Sequence, residues 1–220
     1  MKLWQKDKAS LKEVEKFTVG NDRDLDIYLA PFDVLGSIAH TKMLESVGLL
    51  TKAELELLES ALKEIYKQIQ REDFKLSDGV EDIHSQVELM LTQKLGDAGK
   101  KIHSARSRND QVLVDLKLFI RAEIEKTVIN TKALFDLLVA QSEKHKADLL
   151  PGYTHLQLAM PSSFGLWFGA YAESLVDDLT TLEAAYRVVN KNPLGSAAGY
   201  GSSFPINRQM TTDLLGFDNL

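Results

Sequence analysis

The stretch 113–128, LVDLKLFIRAEIEKTV, decides the fold. Leu113, Leu116, Ile120, Ile124 and Val128 recur every three or four residues, the spacing that lines one face of an α-helix. Around them, Lys100 to Leu150 holds neither Gly nor Pro. A helix of about 40 residues is expected, about 60 Å long at 1.5 Å per residue. The usual mean is only about 11–12 residues. So long a helix needs neighbours along its length, which implies a long bundle, within or between chains. Pro151-Gly152 reads as its end, and Pro161 as the opening of a second long helix from Ser162 to Asn190. The two are expected to run antiparallel, with Tyr153 to Gln157 at one tip.

Upstream, the pattern is also helical. Thr51 with Glu54 spells a capping box ahead of Leu55, Leu58, Leu62, Ile65 and Ile69. Pro31 can open a helix to about Val47, with Gly48 as its stop. A third helix is expected from Asp82 to Leu95, ending at Gly96. Downstream, Asn192 to Pro205 is rich in Pro, Gly and Ser and reads as a compact loop, followed by a short helix from Asn207 to Gly216. No segment alternates convincingly at period two, so no strand is expected. The fold class is all-α. Residues 1–103 form a small N-terminal helical domain, and 104–220 begin a bundle of long helices.

The bulk composition narrows the function classes. With 44% hydrophobic and 26% charged residues the 220-residue chain reads as a globular protein. A net charge of −6 argues against nucleic acid as a partner. The absence of cysteine removes disulfides, thiolate zinc sites and a cysteine nucleophile, and fits a cytoplasmic protein. Met1 to Lys16 is charged with no apolar core, so no signal peptide is expected there. No apolar run reaches the roughly 20 residues that span a bilayer, so no membrane partner is expected.

Three polar clusters stand at helix boundaries. His103-Ser104-Ala105-Arg106-Ser107-Arg108-Asn109-Asp110-Gln111 opens the long helix. Seven of its side chains can donate hydrogen bonds, and the helix start adds free backbone N–H groups, a combination suited to a carboxylate or another anion. The plainer reading is an N-cap flanked by solvated arginines. Pro151 to Gln157 places Tyr153, Thr154 and His155 on a tight turn, where a hydroxyl can bind and an imidazole can move a proton near neutral pH. For a lone histidine, a packed structural role is the simpler reading. Glu81-Asp82-Ile83-His84 opens its helix with acidic residues, which commonly complement the helix dipole. His40 and His145 fall in helical patterns without polar company and read as structural. No phosphate loop, dinucleotide fingerprint or helical zinc spacing is present.

Taken together the clusters resemble the fumarase/aspartase superfamily, and more closely the argininosuccinate lyase family. His103 with Ala105 to Gln111 is similar to that family's first signature, and Gly152 to Gln157 to its second. Asp33 to Ser37, Glu81 to His84 and Pro193 to Ser196 add weaker matches. Gly20, where relatives carry a substrate-touching serine, and Leu158 and Met160 depart from the pattern. The resemblance implies reversible β-elimination of argininosuccinate to arginine and fumarate, with no metal or organic cofactor, in a homotetramer. It implies that Ser107, Arg108, Asn109 and Thr154, with Arg106, Gln111 and Tyr153, bind substrate. His155 would be the acid/base group, acting directly or by polarising the family's catalytic serine, and Asp82 and His84 would orient these residues or the guanidinium end. The family's Gly-Ser-Ser-rich loop, which supplies its catalytic serine, is not found in the sequence, and Ser202 and Ser203 are not assigned that role. The chain is therefore expected to be an N-terminal portion, inactive alone. Alternatives remain a δ-crystallin-like or other non-catalytic helical protein, and a sister lyase acting on adenylosuccinate or fumarate.

Overall fold

A computed structural model describes Phe17 and residues 19–220. Met1 to Lys16, read above as lacking a leader, lie outside the described residues. The chain divides into two compact units: the described residues up to Phe119 together with Asn190–Leu220, and Ile120–Val189.

The first unit is built by local signals. After a short helix α1 (Asp22–Asp26) and a 3-10 turn, α2 (Ala30–Ser46) starts with Pro31 in its first turn. Pro31 fits there because its missing N–H has no partner to lose. In α3 (Lys52–Gln70), Thr51 accepts from the Glu54 N–H while the Glu54 carboxylate accepts from the Thr51 N–H, so the capping box forms in full. Asp82 caps α4 (Ile83–Leu95), and Gly96 ends it at φ 60°. Leu44, Leu58, Leu62, Ile83 and Leu91 meet in one core beneath these helices and are fully buried. A short α5 (Asp97–Lys100) then leads into the polar segment before the long helix.

Leu62 is 0% exposed within that core. Leu62→Ala is therefore expected to lower unfolding free energy by about 2–5 kcal/mol, through lost transfer energy and the cavity left behind. Urea denaturation followed by circular dichroism is the check, and a loss under about 1 kcal/mol would contradict this core.

The long helix α6 (Arg108–Lys144) runs 37 residues without interruption. In the second unit its later turns pack antiparallel to α7 (Phe164–Val189): Ser142 donates to the Gly165 carbonyl, while Ile124 and Val128 share a groove with Leu182 and Tyr186. A Cβ on Gly165 would stand 2.5 Å from the Lys146 Cα, so only glycine allows this approach.

Between the helices the structure departs from the expected simple turn. Leu149–Thr154 (β1) and Gln157–Ser163 (β2) form an antiparallel hairpin, although no strand was expected. The helix ends at Lys144, short of the expected break at Pro151-Gly152, and beyond it the carbonyls of His145 and Asp148 accept the N–H groups of Gly165 and Phe164. Pro151 and Pro161 face each other across the ladder. Both strands of a two-stranded sheet are edges, where proline costs no ladder bond. His155 and Leu156, at φ 51° and 63°, supply the two positive φ values a type I′ turn requires. The usual markers of that turn, Asn-Gly or Asp-Gly, are absent, which hid the hairpin. Pro161 accordingly sits in β2, and the second helix opens at Phe164.

At the C-terminal end, α8 (Arg208–Leu215) is capped by Asn207 and closed by Gly216 in the left-handed conformation. No helix among the described residues is long and apolar enough to cross a membrane.

Candidate active site

The polar segment ahead of α6 is held by reciprocal capping. The Ser107 N–H donates to Asp110 Oδ1 at 2.9 Å, and Ser107 Oγ accepts from the Asn109 N–H at 3.3 Å. Asp110, the one acidic side chain of the His103–Gln111 cluster, is 1% exposed. Its second oxygen accepts from the N–H groups of Gly195 and Ala197, at 3.1 and 2.9 Å. One carboxylate thus ties the Pro/Gly/Ser-rich loop to the helix start. Asn109 is exposed and donates from Nδ2 to the Ala198 carbonyl across the same junction.

Arg108 lies against the start of α4. Its Nη2 donates to Ser85 Oγ at 3.3 Å, and Nη1 stands 3.7 Å from Asp82 Oδ1. Glu88 completes the acidic side at 4.0 Å. Arg108, Ser85, Glu88 and Lys100 line a cleft of 270 Å³, a basic and acidic mixture able to take a zwitterionic ligand.

Behind them is a buried network. Asp33 Oδ1 accepts from His84 Nδ1 at 2.8 Å and from Gln111 Nε2 at 2.6 Å. Asp115 Oδ2 lies 3.3 Å from the same His84 nitrogen. Arg106 donates to Ser37 Oγ at 3.1 Å, and Nε has no hydrogen-bond partner among the described residues. Burial alone would raise the Asp33 pKa, but the His84 ring, Arg106 and the Gln111 amide outweigh it and hold the carboxyl below its usual value. Burial and then the Asp33 charge push Asp115 well above the carboxylate range, against the pull of Arg106. Burial likewise lowers Arg106, with Asp33 and Asp115 opposing.

His40, read as lacking polar company, in fact has some: its Nε2 bonds the Ser104 carbonyl at 2.9 Å. His145 likewise pairs with Asp148 at 2.6 Å. Burial, then the Arg106 charge, lowers the His40 pKa to about 3 from 6.5. The unfolded chain takes up a proton below pH 6.5 that the native ring refuses, so this residue makes stability fall as pH drops from 6.5 towards 3. A shift that size corresponds to about 4–5 kcal/mol across the window. His40→Gln keeps a donor for Ser104 and is expected to flatten this acid loss, seen as a smaller stability difference between pH 7 and pH 4 in urea titrations. An unchanged difference would overturn the assignment.

Tyr153, Thr154 and His155 belong to the second unit, at the exposed tip of the β1–β2 hairpin. The structure brings Arg106, Arg108, Gln111, Asp82 and His84 together in the first unit. Asp33 and Asp115 complete their network; Asp33 fell inside a stretch singled out for its resemblance, whereas Asp115 lies in the 113–128 stretch, which was read only for its apolar period. No spacing rule links residues 33, 84 and 115, so only the fold reveals them.

Comparison with known proteins shows the family of the chain. The chain is 67% identical over 219 residues to the argininosuccinate lyase of Parabacteroides distasonis, and 66% to that of Bacteroides thetaiotaomicron. The argininosuccinate lyase of Thermotoga neapolitana is 41% identical. All of this chain is covered but 49% of each of the first two relatives, so it spans about half their length. Among solved structures, EDDS lyase in complex with formate superposes with a TM-score of 0.79 at 28% identity, over 97% of this chain and 42% of that one. A fumarate lyase:delta crystallin structure from Brucella melitensis bound to cobalt, 16% identical with a TM-score of 0.74 over 94% of this chain and 51% of that one, shares the fold. Residues 3–218 match the family described simply as "Lyase". Nearly the whole sequence falls within that match, and the chain belongs to this lyase family.

Proposed function

We propose that these 220 residues form part of an argininosuccinate lyase, which reversibly cleaves argininosuccinate to arginine and fumarate in arginine biosynthesis. The observation that carries the reading is the pre-α6 segment. Ser107, Arg108 and Asn109 sit at the start of a long helix, with Arg108 lining a cleft of mixed charge. Identity of 65–67% to enzymes of that name supports the choice of substrate. A solved EDDS lyase variant with bound fumarate, 27% identical with a TM-score of 0.80, supports the fumarate half of the chemistry.

The difficult step removes a proton beside a carboxylate and loads negative charge onto its oxygens. Fixed donors aimed at those oxygens lower that barrier. Ser107, Arg108, Asn109 and Thr154 would supply them, with Arg106, Gln111 and Tyr153 completing the substrate contacts. His155 would handle the proton, and Asp82 and His84 would orient the site. Residues 1–103 would be the N-terminal helical domain, and 104–220 the start of the central bundle.

Exposed Leu137, Leu166, Trp167, Tyr171 and Val188 along the second unit's helices support assembly with further helices, as in a homotetramer. The protein would work in the cytoplasm without a metal or organic cofactor.

The test uses an enzyme of the relatives' length that carries residues 1–220. Fumarate release, followed by ultraviolet absorbance, is expected from argininosuccinate and not from adenylosuccinate. The reverse preference would assign a sister lyase, and no release from any substrate would favour a δ-crystallin-like structural protein.

A further inference from the structure

We propose that Asp115 carries a proton at neutral pH, and that this lets Asp33 fix His84 with its Nδ1 hydrogen donated to Asp33 and Nε2 as the acceptor nitrogen. Asp33 and Asp115 are then positioning residues. They act through His84, and both are themselves fully buried.

The argument starts from hydrogen-bond geometry. Asp33 and Asp115 are both 0% exposed, and the His84 side chain is 2% exposed. Asp33 Oδ1 accepts two donors, from His84 and Gln111. Neither oxygen of Asp115 accepts a hydrogen bond among the described residues. An ionised carboxylate out of water needs donors, and the one that lacks them is the one that keeps a proton. Asp33 Oδ2 has no donor either, and so offers an acceptor for that proton.

Charge balance points the same way. The charged or titratable groups facing Asp115 are Asp33 from α2, His84 from α4, Arg106 from the segment before α6 and Asp26 from α1. Within the core of this cluster only Arg106 is permanently positive. Two ionised carboxylates beside it would leave one buried negative charge uncompensated. The balance is restored by one proton, placed on either His84 or Asp115. The first placement buries four full charges, the second only two, and burying fewer charges costs less. Burial and the Asp33 carboxylate raise the proton affinity of Asp115 accordingly.

The ligand atoms of Asp33, His84 and Asp115 also lie within 4.8 Å of one another, close enough to surround a cation. With Asp115 protonated, Arg106 offsets the Asp33 charge, and these side chains need no cation to do so.

The protonation states stand independently of the reaction; their catalytic consequence rests on the lyase reading above. The test is nuclear magnetic resonance of the chain carrying carboxyl-labelled aspartate and ring-labelled histidine. Asp115 is expected to show a protonated carboxyl at about pH 7, against an ordinary aspartate midpoint of about 3.9. His84 should show its ring hydrogen on Nδ1, donated to Asp33. Asp115→Asn replaces the neutral acid by a neutral isostere, so it should keep the fold and the His84 signals. Asp33→Asn should move the His84 signals; if that variant does not fold, the wild-type and Asp115→Asn spectra decide. An ionised Asp115 at about pH 7, an imidazolium His84, or displacement of these signals by added zinc would each overturn the proposal. In an enzyme of the relatives' length, Asp115→Asn should keep kcat within about tenfold, while Asp33→Asn lowers kcat with KM little changed. Intact His84 signals with no turnover in any version would sink the lyase reading and leave the protonation proposal standing.

Discussion

Replacing His155 by Asn in an enzyme of the relatives' full length is expected to lower argininosuccinate cleavage by about 10²–10⁴-fold while the fold survives. Proton transfer by a positioned side chain contributes that much. The fold should tolerate the change because His155 is exposed at a hairpin tip and buries nothing. Asparagine also accepts positive φ more readily than most residues, so the turn at φ 51° loses nothing in conformation. Asn109→Ala is expected to cost about 10²–10³, the loss of one fixed donor to developing charge. His145→Gln is the control, since the His145 ring pairs with Asp148 and stands against Phe168 just past the end of α6, outside the proposed chemistry. The measurement is kcat and KM from fumarate absorbance, with circular dichroism to show that the variants fold. Near-normal turnover in His155→Asn would remove the hairpin tip from the chemistry.

The second large effect concerns residues 1–220 alone, which are expected to show no measurable cleavage. The curated relatives are about twice as long, and the resemblance places the catalytic serine on a Gly-Ser-Ser-rich loop that the sequence does not supply. Ser202 and Ser203 follow Gly201, but they stand in an exposed turn where Ser202 Oγ accepts from the Phe204 N–H. Removing one member of a cooperating catalytic set abolishes most of the rate, and a closing loop also excludes water. The check is the same absorbance assay with an enzyme of the relatives' length as positive control. Turnover comparable to that control would mean that all the necessary groups lie within these residues, and would reopen Ser202 and Ser203 as candidates.

What was legible in the sequence was what short-range chemistry controls. The capping box at Thr51, the proline at 31, the Asp82 cap and the glycine stops at 48, 96 and 216 act within a turn of themselves, so reading neighbours suffices. The 37-residue helix was legible from its unbroken apolar period, although its end was not. Just beyond that end, the chain is met by N–H groups from Phe164 and Gly165, about 20 residues on. The hairpin was hidden because His155 and Leu156 take positive φ without glycine or asparagine. The donors before α6 were visible in the sequence as one polar cluster at a helix start. The buried network was not, since Asp33, His84 and Asp115 meet only through tertiary packing.

The carboxylate of Asp110 holds N–H groups of residues 195 and 197, across more than 80 positions of chain. The first unit is discontinuous, and its closing segment follows the two long helices in sequence. Synthesis therefore delivers the Leu44–Leu91 core early, yet the loop and α8 that finish the unit emerge from the ribosome only after α7. Contacts this distant in sequence carry a loop-closure entropy that local helix contacts do not, so they form late. Until then, Asp110 waits at the helix start with a buried position to fill and no partner for its second oxygen. The order of translation thus separates the assembly of the core from the assembly of the polar junction that serves the candidate site.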